Sequence, residues 1–402
     1  MNPRVPLTEL ESRMKRLRAA LDSASPEWQL AAILSKVNLY YLTGTMPEGV
    51  LLVPRDQEAV LWVRRSCERA SAESAFPVIR PMGSFRDAAA TFKRMPDSVH
   101  LETEIVPLAL YQRFHKHFPV ASFEPLDRPM AAVRSVKSPF ELALMERSGE
   151  IHRVVLEERV PPLLRDGISE AELGAELFST LIQAGHHGVT RMGSFDTELA
   201  LGYIGFGESS LYPTSFNGPG GNRGICPAVP LLGSPARKLR DGDLVYLDLG
   251  CGVEGYHTDK TMTYVFGRPL PAHAIEAQQK CVEIQDRVAE ALRPGAIPSR
   301  IYTDIMESLP ADFLENFMGF GNRRVKFLGH SVGLVIDETP VIAEGFDDPL
   351  QEGMVLAVEP KKGIPGIGMV GIENTFIVTR EGGRSITGQS RGLLEVPSQS
   401  QS

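Results

Sequence analysis

Leu10, Met14, Leu17 and Leu21 recur at three- and four-residue intervals between Glu9 and Leu21, the period of a helix with one buried face. Two apolar runs follow, Val50 to Val53 and Ala59 to Val63, split by Pro54 to Glu58, and this spacing predicts a hairpin. Ser98 to Glu102 reads as a further strand and Pro107 to Phe118 as a helix, so the first third is a mixed α/β arrangement. A boundary is expected between Pro125 and Ser138. There Ser138 is an N-cap, Pro139 takes the first helical position and Glu141 closes a capping box. The signal returns at Ser169 and Glu172, with Leu173, Leu177 and Leu181 as the buried stripe and Gly185 as the stop. A third helix runs from Ala272 to Leu292 and halts before Pro294 and Gly295. Strand-like runs lie among these helices at Leu244 to Leu249, Met262 to Phe266, Met354 to Val358 and Gly371 to Val378. The pattern predicts two domains, residues 1–134 and 135–402, of α+β class.

Composition narrows the functions. A hydrophobic content of 43% and a charged content of 23% over 402 residues describe a globular chain. The net charge of -8 argues against nucleic-acid or anionic-membrane surfaces, which need a basic stripe, and favours a small peptide or small-molecule partner. Cys67, Cys226, Cys251 and Cys281 are scattered and form no Cys-x-x-Cys pair, so they read as reduced, mostly buried thiols. Met1 to Ser25 is charged and amphipathic, without a signal-peptide core, and no run approaches a membrane span; a cytoplasmic location is expected. The polar tail, Pro397 to Ser402, is expected to fray. The glycine-rich run Phe216 to Gly224 lacks the Gly-Lys-Ser or Gly-Lys-Thr ending of a phosphate loop and reads as a substrate-lining loop.

Chemistry concentrates in the C-terminal strands. Asp248 and Asp259 flank a segment containing Gly250, Gly252 and Gly255, where a hairpin is predicted. A turn centred between Val253 and Glu254 would set the two aspartates opposite each other, their β-carbons roughly 5 Å apart. Glu359 and Glu373 repeat this around a turn centred on Gly366. Like charges so placed repel unless one is protonated, both meet water, or a cation lies between them. His330 sits in an apolar, glycine-flanked run where it could add a fifth donor. Any one of these residues alone is more often a solvated carboxylate or a satisfied core histidine. Four carboxylates and an imidazole together suit a pair of fairly hard divalent ions, with manganese, iron, cobalt and zinc all open.

At these residues the chain resembles the superfamily of creatinase, prolidase, aminopeptidase P and methionine aminopeptidase, whose catalytic domain has the pita-bread fold. The run from Asp248 through Asp259 to Thr261, then Gly329-His330 with Gly333, Glu359-Pro360 and Ile372-Glu373 carry the likeness. Val37 to Gly44 resembles the opening of the creatinase-type N-terminal domain, which methionine aminopeptidases generally lack, and Val136-Lys137-Ser138 resembles the start of the catalytic domain. The resemblance implies that Asp259 and Glu373 bridge two ions, manganese or cobalt in first place, with Asp248 completing one and His330 and Glu359 the other. It further implies a metal-bridging hydroxide as nucleophile, Glu359 as the proton acceptor, Xaa-Pro amide hydrolysis, and a homodimer.

The sequence departs from that family at its substrate-handling positions. Val229 to Gly233 and Asp337 stand where two further histidines are expected, and Met262 and Gly371 where two arginines are. Replacements could come from Tyr256, His257, His187, Asp337, Tyr203 or Arg191. These departures keep two alternatives open: another reaction on the same scaffold, such as non-peptide C–N hydrolysis or a lyase step, or a metal-binding pseudo-peptidase.

Overall fold

The stripe in the first helical segment lies on the helix Leu7–Ala24, which buries Leu10, Leu17 and Leu21 and leaves Met14 half-buried. It belongs to the first of two compact units, Met1–Arg134 and Ser135–Ser402, in a computed structural model that describes residues 5–194 and 197–398. The expected frayed tail lies outside the described residues from 399 onward, and so do the first four residues of the N-terminal segment.

Six strands form the sheet of the first unit: β1 (Leu30–Ile33), β2 (Gly49–Pro54), β3 (Val60–Val63), β4 (Ile79–Pro81), β5 (Ser98–Leu101) and β6 (Ser122–Pro125), in the order β4-β3-β2-β1-β5-β6. The predicted hairpin is β2 with β3. The helix expected from Pro107 to Phe118 spans Leu108–His115, with Phe114 stacked on Phe118 just beyond its end. Buried Glu102 follows β5 and accepts hydrogen bonds from the Leu34 and Ser35 N–H groups and from Asn38, satisfying donors where the helix Lys36–Thr43 begins.

The second unit starts with the helix Pro139–Arg153, where Ser138 and Glu141 make both bonds of the capping box. Ser169 and Glu172 do the same for Glu170–Ala184, which ends at Gly185 in a left-handed conformation. These helices pack on a four-stranded sheet ordered β19-β9-β8-β7, made of β7 (Gly202–Phe206), β8 (Leu244–Val253), β9 (Tyr256–Phe266) and β19 (Leu394–Val396). A small ladder, β10 (Gly319–Phe320) with β11 (Arg323–Arg324), precedes a five-stranded sheet ordered β13-β12-β14-β17-β18. Its strands are β12 (Phe327–Ser331), β13 (Glu338–Ala343), β14 (Val355–Val358), β17 (Asn374–Thr379) and β18 (Gly382–Ser385). The helices Ala272–Ala291 and Pro298–Ser308 cover that sheet. Between β14 and β17 in the chain, β15 (Lys361–Ile364) and β16 (Gly368–Gly371) form a separate ladder. Two sheets, each backed by helices, are thus joined where Thr261 in the middle of β9 pairs with Glu373 just before β17.

Cys251 and Cys281 are buried, whereas Cys67 is half-buried and Cys226 exposed, so burial holds for only two of the four free cysteines. Among the described residues, no helix is long and apolar enough to cross a membrane.

Candidate metal centre

β8 and β9 join through a two-residue turn, Glu254-Gly255, with both residues at positive φ (50° and 94°), the conformation of a type I′ hairpin. That centre lies one residue beyond the predicted one. Asp248 therefore pairs with Thr261 and Asp259 with Gly250, so the aspartates sit diagonally on one face and not directly opposite. Gly255 supplies the left-handed conformation that sets this register. The second carboxylate pair follows its predicted register. Val358 pairs with Asn374 in one ladder and Lys361 with Gly371 in the next, so Glu359 and Glu373 face each other where the ladders part.

Thr261 joins the two sheets. Its backbone pairs with that of Glu373, and its hydroxyl donates to Glu373 Oε2 at 2.8 Å. The Thr375 hydroxyl accepts from the Asp259 N–H and donates to the Asp259 carbonyl, fixing the strand beneath that aspartate. The His330 Nδ1 lies 3.2 Å from the Ser331 carbonyl, which orients the ring with Nε2 3.5 Å from Glu359 Oε1 and 3.9 Å from Asp259 Oδ2. Asp248, Asp259, His330, Glu359 and Glu373 line one small cavity of about 210 Å³.

The carboxylates fall into two groups. Ligand atoms of Asp259, His330 and Glu373 lie within 4.8 Å of one another, as do those of Asp248, Glu359 and Glu373. The second group converges on a residue that the sequence reading passed over. The Lys361 Nζ donates to Asp248 Oδ2 at 2.9 Å, Glu359 Oε2 at 2.8 Å and Glu373 Oε2 at 2.9 Å. Tyr246 also donates its hydroxyl to Asp248 Oδ2, at 2.8 Å. A signal for Lys361 was present. It stands two residues after Glu359, so a strand sends both side chains to one face, and with Lys362 it opens a hairpin that is apolar and glycine-rich from there on.

One ammonium does not balance four carboxylates. Burial, and after it the Asp248 charge, pushes Asp259 up to about 8, and burial with the Asp259 charge raises Glu373 well above the usual carboxylate range. Burial opposes charge on His330, yet Glu359 and the other carboxylates outweigh it and push the imidazole up to about 10. Burial likewise works against the Lys361 ammonium, but Asp248, Glu359 and Glu373 hold it well above the ordinary lysine value. Glu373 Oε1 is buried and has no hydrogen-bond partner among the described residues, an orphaned acceptor on a site already short of positive charge. These donors fit a divalent ion at Asp259, His330 and Glu373. The other group also has the carboxylates to hold an ion, and as placed its three members are bridged by the Lys361 ammonium.

The remaining sequence candidates divide. Tyr256 is buried and gives its hydroxyl to Glu141 Oε1 at 3.0 Å. Burial lowers His257 to about 3. Its Nε2 accepts from the Arg191 N–H and its Nδ1 lies 3.1 Å from the Gly333 carbonyl. The His187 Nδ1 accepts from the Gly255 N–H at 3.1 Å, and its Nε2 lies 2.8 Å from the Val189 carbonyl. None of these three lines the cavity. Their hydrogen bonds brace the β8–β9 turn and its neighbours. Asp337 does line the cavity, but its carboxylate is engaged by the N–H groups of Gly193 and Ser194. Tyr203 lines it too, in edge contact with Phe216 of the glycine-rich loop, and Asn217 of that loop is a further wall residue. Leu231 packs beside Tyr203, Tyr246 and Phe216, and Met262 is buried in the core under β9, so apolar packing occupies two positions where the family resemblance places polar groups.

Comparison with known proteins agrees with this architecture. The chain is 26% identical over 388 residues to the Xaa-Pro dipeptidase of Pyrococcus furiosus, covering 96% of this chain and 100% of that one. It is 27% identical over 385 residues to an uncharacterized peptidase of Staphylococcus aureus, covering 93% of this chain and 99% of the relative. The prolidase of Pyrococcus horikoshii superposes with a TM-score of 0.77 at 24% identity, over 94% of this chain and 99% of that one. Dipeptidase PepE of Mycobacterium ulcerans superposes with a TM-score of 0.79 at 24% identity, over 98% and 100%. These likenesses show the fold: a creatinase-type N-terminal domain before a pita-bread catalytic domain. The creatinase/prolidase N-terminal domain matches residues 13–136 and metallopeptidase family M24 residues 143–380, more than half of the chain. With four carboxylates and a histidine gathered in one cavity of its second unit, this chain belongs to metallopeptidase family M24.

Proposed function

We propose that the chain is a metal-dependent hydrolase of short Xaa-Pro peptides, with Asp259, His330 and Glu373 as ligands to a divalent ion. The convergence of these residues beside the orphaned Glu373 Oε1 carries the reading. When bound, a divalent ion polarises a scissile carbonyl and favours ionised water near neutral pH. The protein residues supply the remainder. Glu359 presents Oε1 toward His330 while Lys361 holds Oε2, so one oxygen stays oriented to take a proton from water and return it to the leaving amine. Phe216, Phe327, Ile336 and Val341 give the cavity an apolar wall suited to a proline ring, and Asp337 ties down the 193–194 loop beside it. Manganese or cobalt as the ion, a homodimer and a cytoplasmic location complete the proposal. The Pyrococcus furiosus relative named above supports the substrate class.

The test is hydrolysis of a panel of Xaa-Pro dipeptides and longer Xaa-Pro peptides by protein loaded with manganese or cobalt. Cleavage lost in Glu373→Ala is expected. No cleavage across the panel, with metal bound, rejects the peptidase assignment.

One observation favours a second reading. Among the described residues lining the cavity, His330 is the sole imidazole, so help for a leaving amine must come from elsewhere or the leaving group differs. Hydrolysis of a non-peptide C–N bond, or a lyase step, fits that wall. Turnover of a small-metabolite panel without dipeptide cleavage would select it.

A further inference from the structure

Asp248, Glu359 and Glu373 each aim one oxygen at a single point, and the Lys361 Nζ occupies it at 2.8–2.9 Å. The same three residues form one of the two groups able to hold a metal ion. An ion held by the same three oxygens that bond the ammonium would sit where the ammonium sits. The lysine is built into that place. It is fully buried on β15, its stem passes the bare backbone of Gly371 on β16, and its ammonium lies 5.9 Å from the centre of the Tyr246 ring. A β-carbon at position 371 would come within 2.5 Å of the Pro360 carbonyl oxygen, 2.6 Å of Lys361 Cα and 2.8 Å of its Cγ, so the facing backbone requires glycine there and the lysine stem runs closely past it. Asp259, His330 and the unpartnered Glu373 Oε1 lie outside the lysine's hydrogen bonds, with Glu359 Oε1 at their edge.

We infer that Lys361 is a tethered replacement for one of two cations, so that the chain binds one divalent ion, at Asp259, His330 and Glu373, in place of an ion pair. The inference rests on the metal-dependent reading above and specifies its ion count. An ammonium supplies one positive charge and three N–H donors to the three carboxylates and cannot dissociate. It accepts no lone pair, so it orients Asp248, Glu359 and Glu373 without acting as a Lewis acid. Lys361 is thus a positioning residue for the site.

The experiment is metal content per chain on wild-type protein saturated with manganese and freed of excess, read by elemental mass spectrometry. Anomalous diffraction from crystals of the same material locates the ions. One ion per chain is expected, with one anomalous peak between Asp259, His330 and Glu373. Lys361→Ala, which opens the space and removes the charge, is expected to rise to two, with a new peak among Asp248, Glu359 and Glu373. Two ions in the wild type, with the lysine displaced, would overturn the inference and leave the hydrolase reading standing. No ion at saturation would overturn both. A folded Lys361→Ala that still takes one ion would show that the lysine is not what excludes the second, and would also overturn it. If that variant does not fold, the wild-type anomalous map decides alone. One ion without Xaa-Pro cleavage supports the inference while removing the substrate assignment.

Discussion

Gly371 faces Lys361 across the β15–β16 ladder, and the missing side chain of the one makes room for the stem of the other. Gly371 has φ 143°, in the region that favours glycine, and a β-carbon there would lie 2.5 Å from the Pro360 carbonyl oxygen. Gly371→Ala is expected to cost about 2 kcal/mol from backbone strain and to displace Lys361. Urea unfolding checks this against Gly382→Ala, also at positive φ (125°) but with no atom closer than 3.3 Å to the added carbon; the control should lose less. Equal losses would remove the packing argument.

Thr261 bonds Glu373 from the sheet opposite. Thr261→Val keeps the shape and removes the donor, so metal affinity should fall on the order of 10–100-fold, the usual penalty for losing a group that orients a ligand. Calorimetric titration with manganese measures it. Unchanged affinity would mean that the backbone pairing alone holds Glu373.

Tyr256 and Asp337 should respond oppositely. Tyr256→Phe removes a buried hydrogen bond to Glu141 and is expected to cost roughly 1 kcal/mol of stability, with kcat/KM unchanged. Asp337→Ala frees the Gly193 and Ser194 N–H groups at the cavity wall, so KM should rise while metal content stays constant. A drop in kcat for Tyr256→Phe would restore its place in substrate handling.

His187 gives an acid-side prediction. Burial lowers it to about 4 from an ordinary value near 6.5, and its Nδ1 must stay unprotonated to accept from the Gly255 N–H. The unfolded chain takes up this proton first as pH falls. The stabilisation is therefore complete above pH 6.5 and is lost progressively toward pH 4. The urea midpoint of the wild type should fall over that range more steeply than that of His187→Asn; parallel curves would exclude His187 as a source of the slope.

Local signals carried most of the architecture. Both capping boxes, the Gly185 stop and the stripes of Leu10, Leu17 and Leu21 and of Leu173, Leu177 and Leu181 depend on neighbours within a few residues, and each is where the pattern put it. The five acidic and imidazole residues at the site were legible because unusual groups stood in apolar strands. Less legible was anything set by one residue of register or by distant packing. The β8–β9 turn lies one residue further on because Glu254 and Gly255 both adopt positive φ, and polarity alone does not place that turn. His187 and His257 look exposed to chemistry in sequence, yet backbone groups take both ring nitrogens of each, three of the four from far along the chain and one from nearby Val189. Lys361 escaped notice because a lysine in a turn-rich segment normally reaches solvent, and the strand facing it is what directs it inward.

The common register of the two glutamate-bearing strands makes the site a matter of counting as much as of contact. Glu359 and Lys361 on one strand and Gly371 and Glu373 on the other are held in step by the single turn between Ile364 and Gly368. Inserting or deleting one residue in that turn would leave every one of these side chains in the protein while swapping which of them meet. A relative that kept all the catalytic letters but differed by one residue in this loop would therefore carry a different centre, and loop length here should sort such chains more sharply than overall identity does.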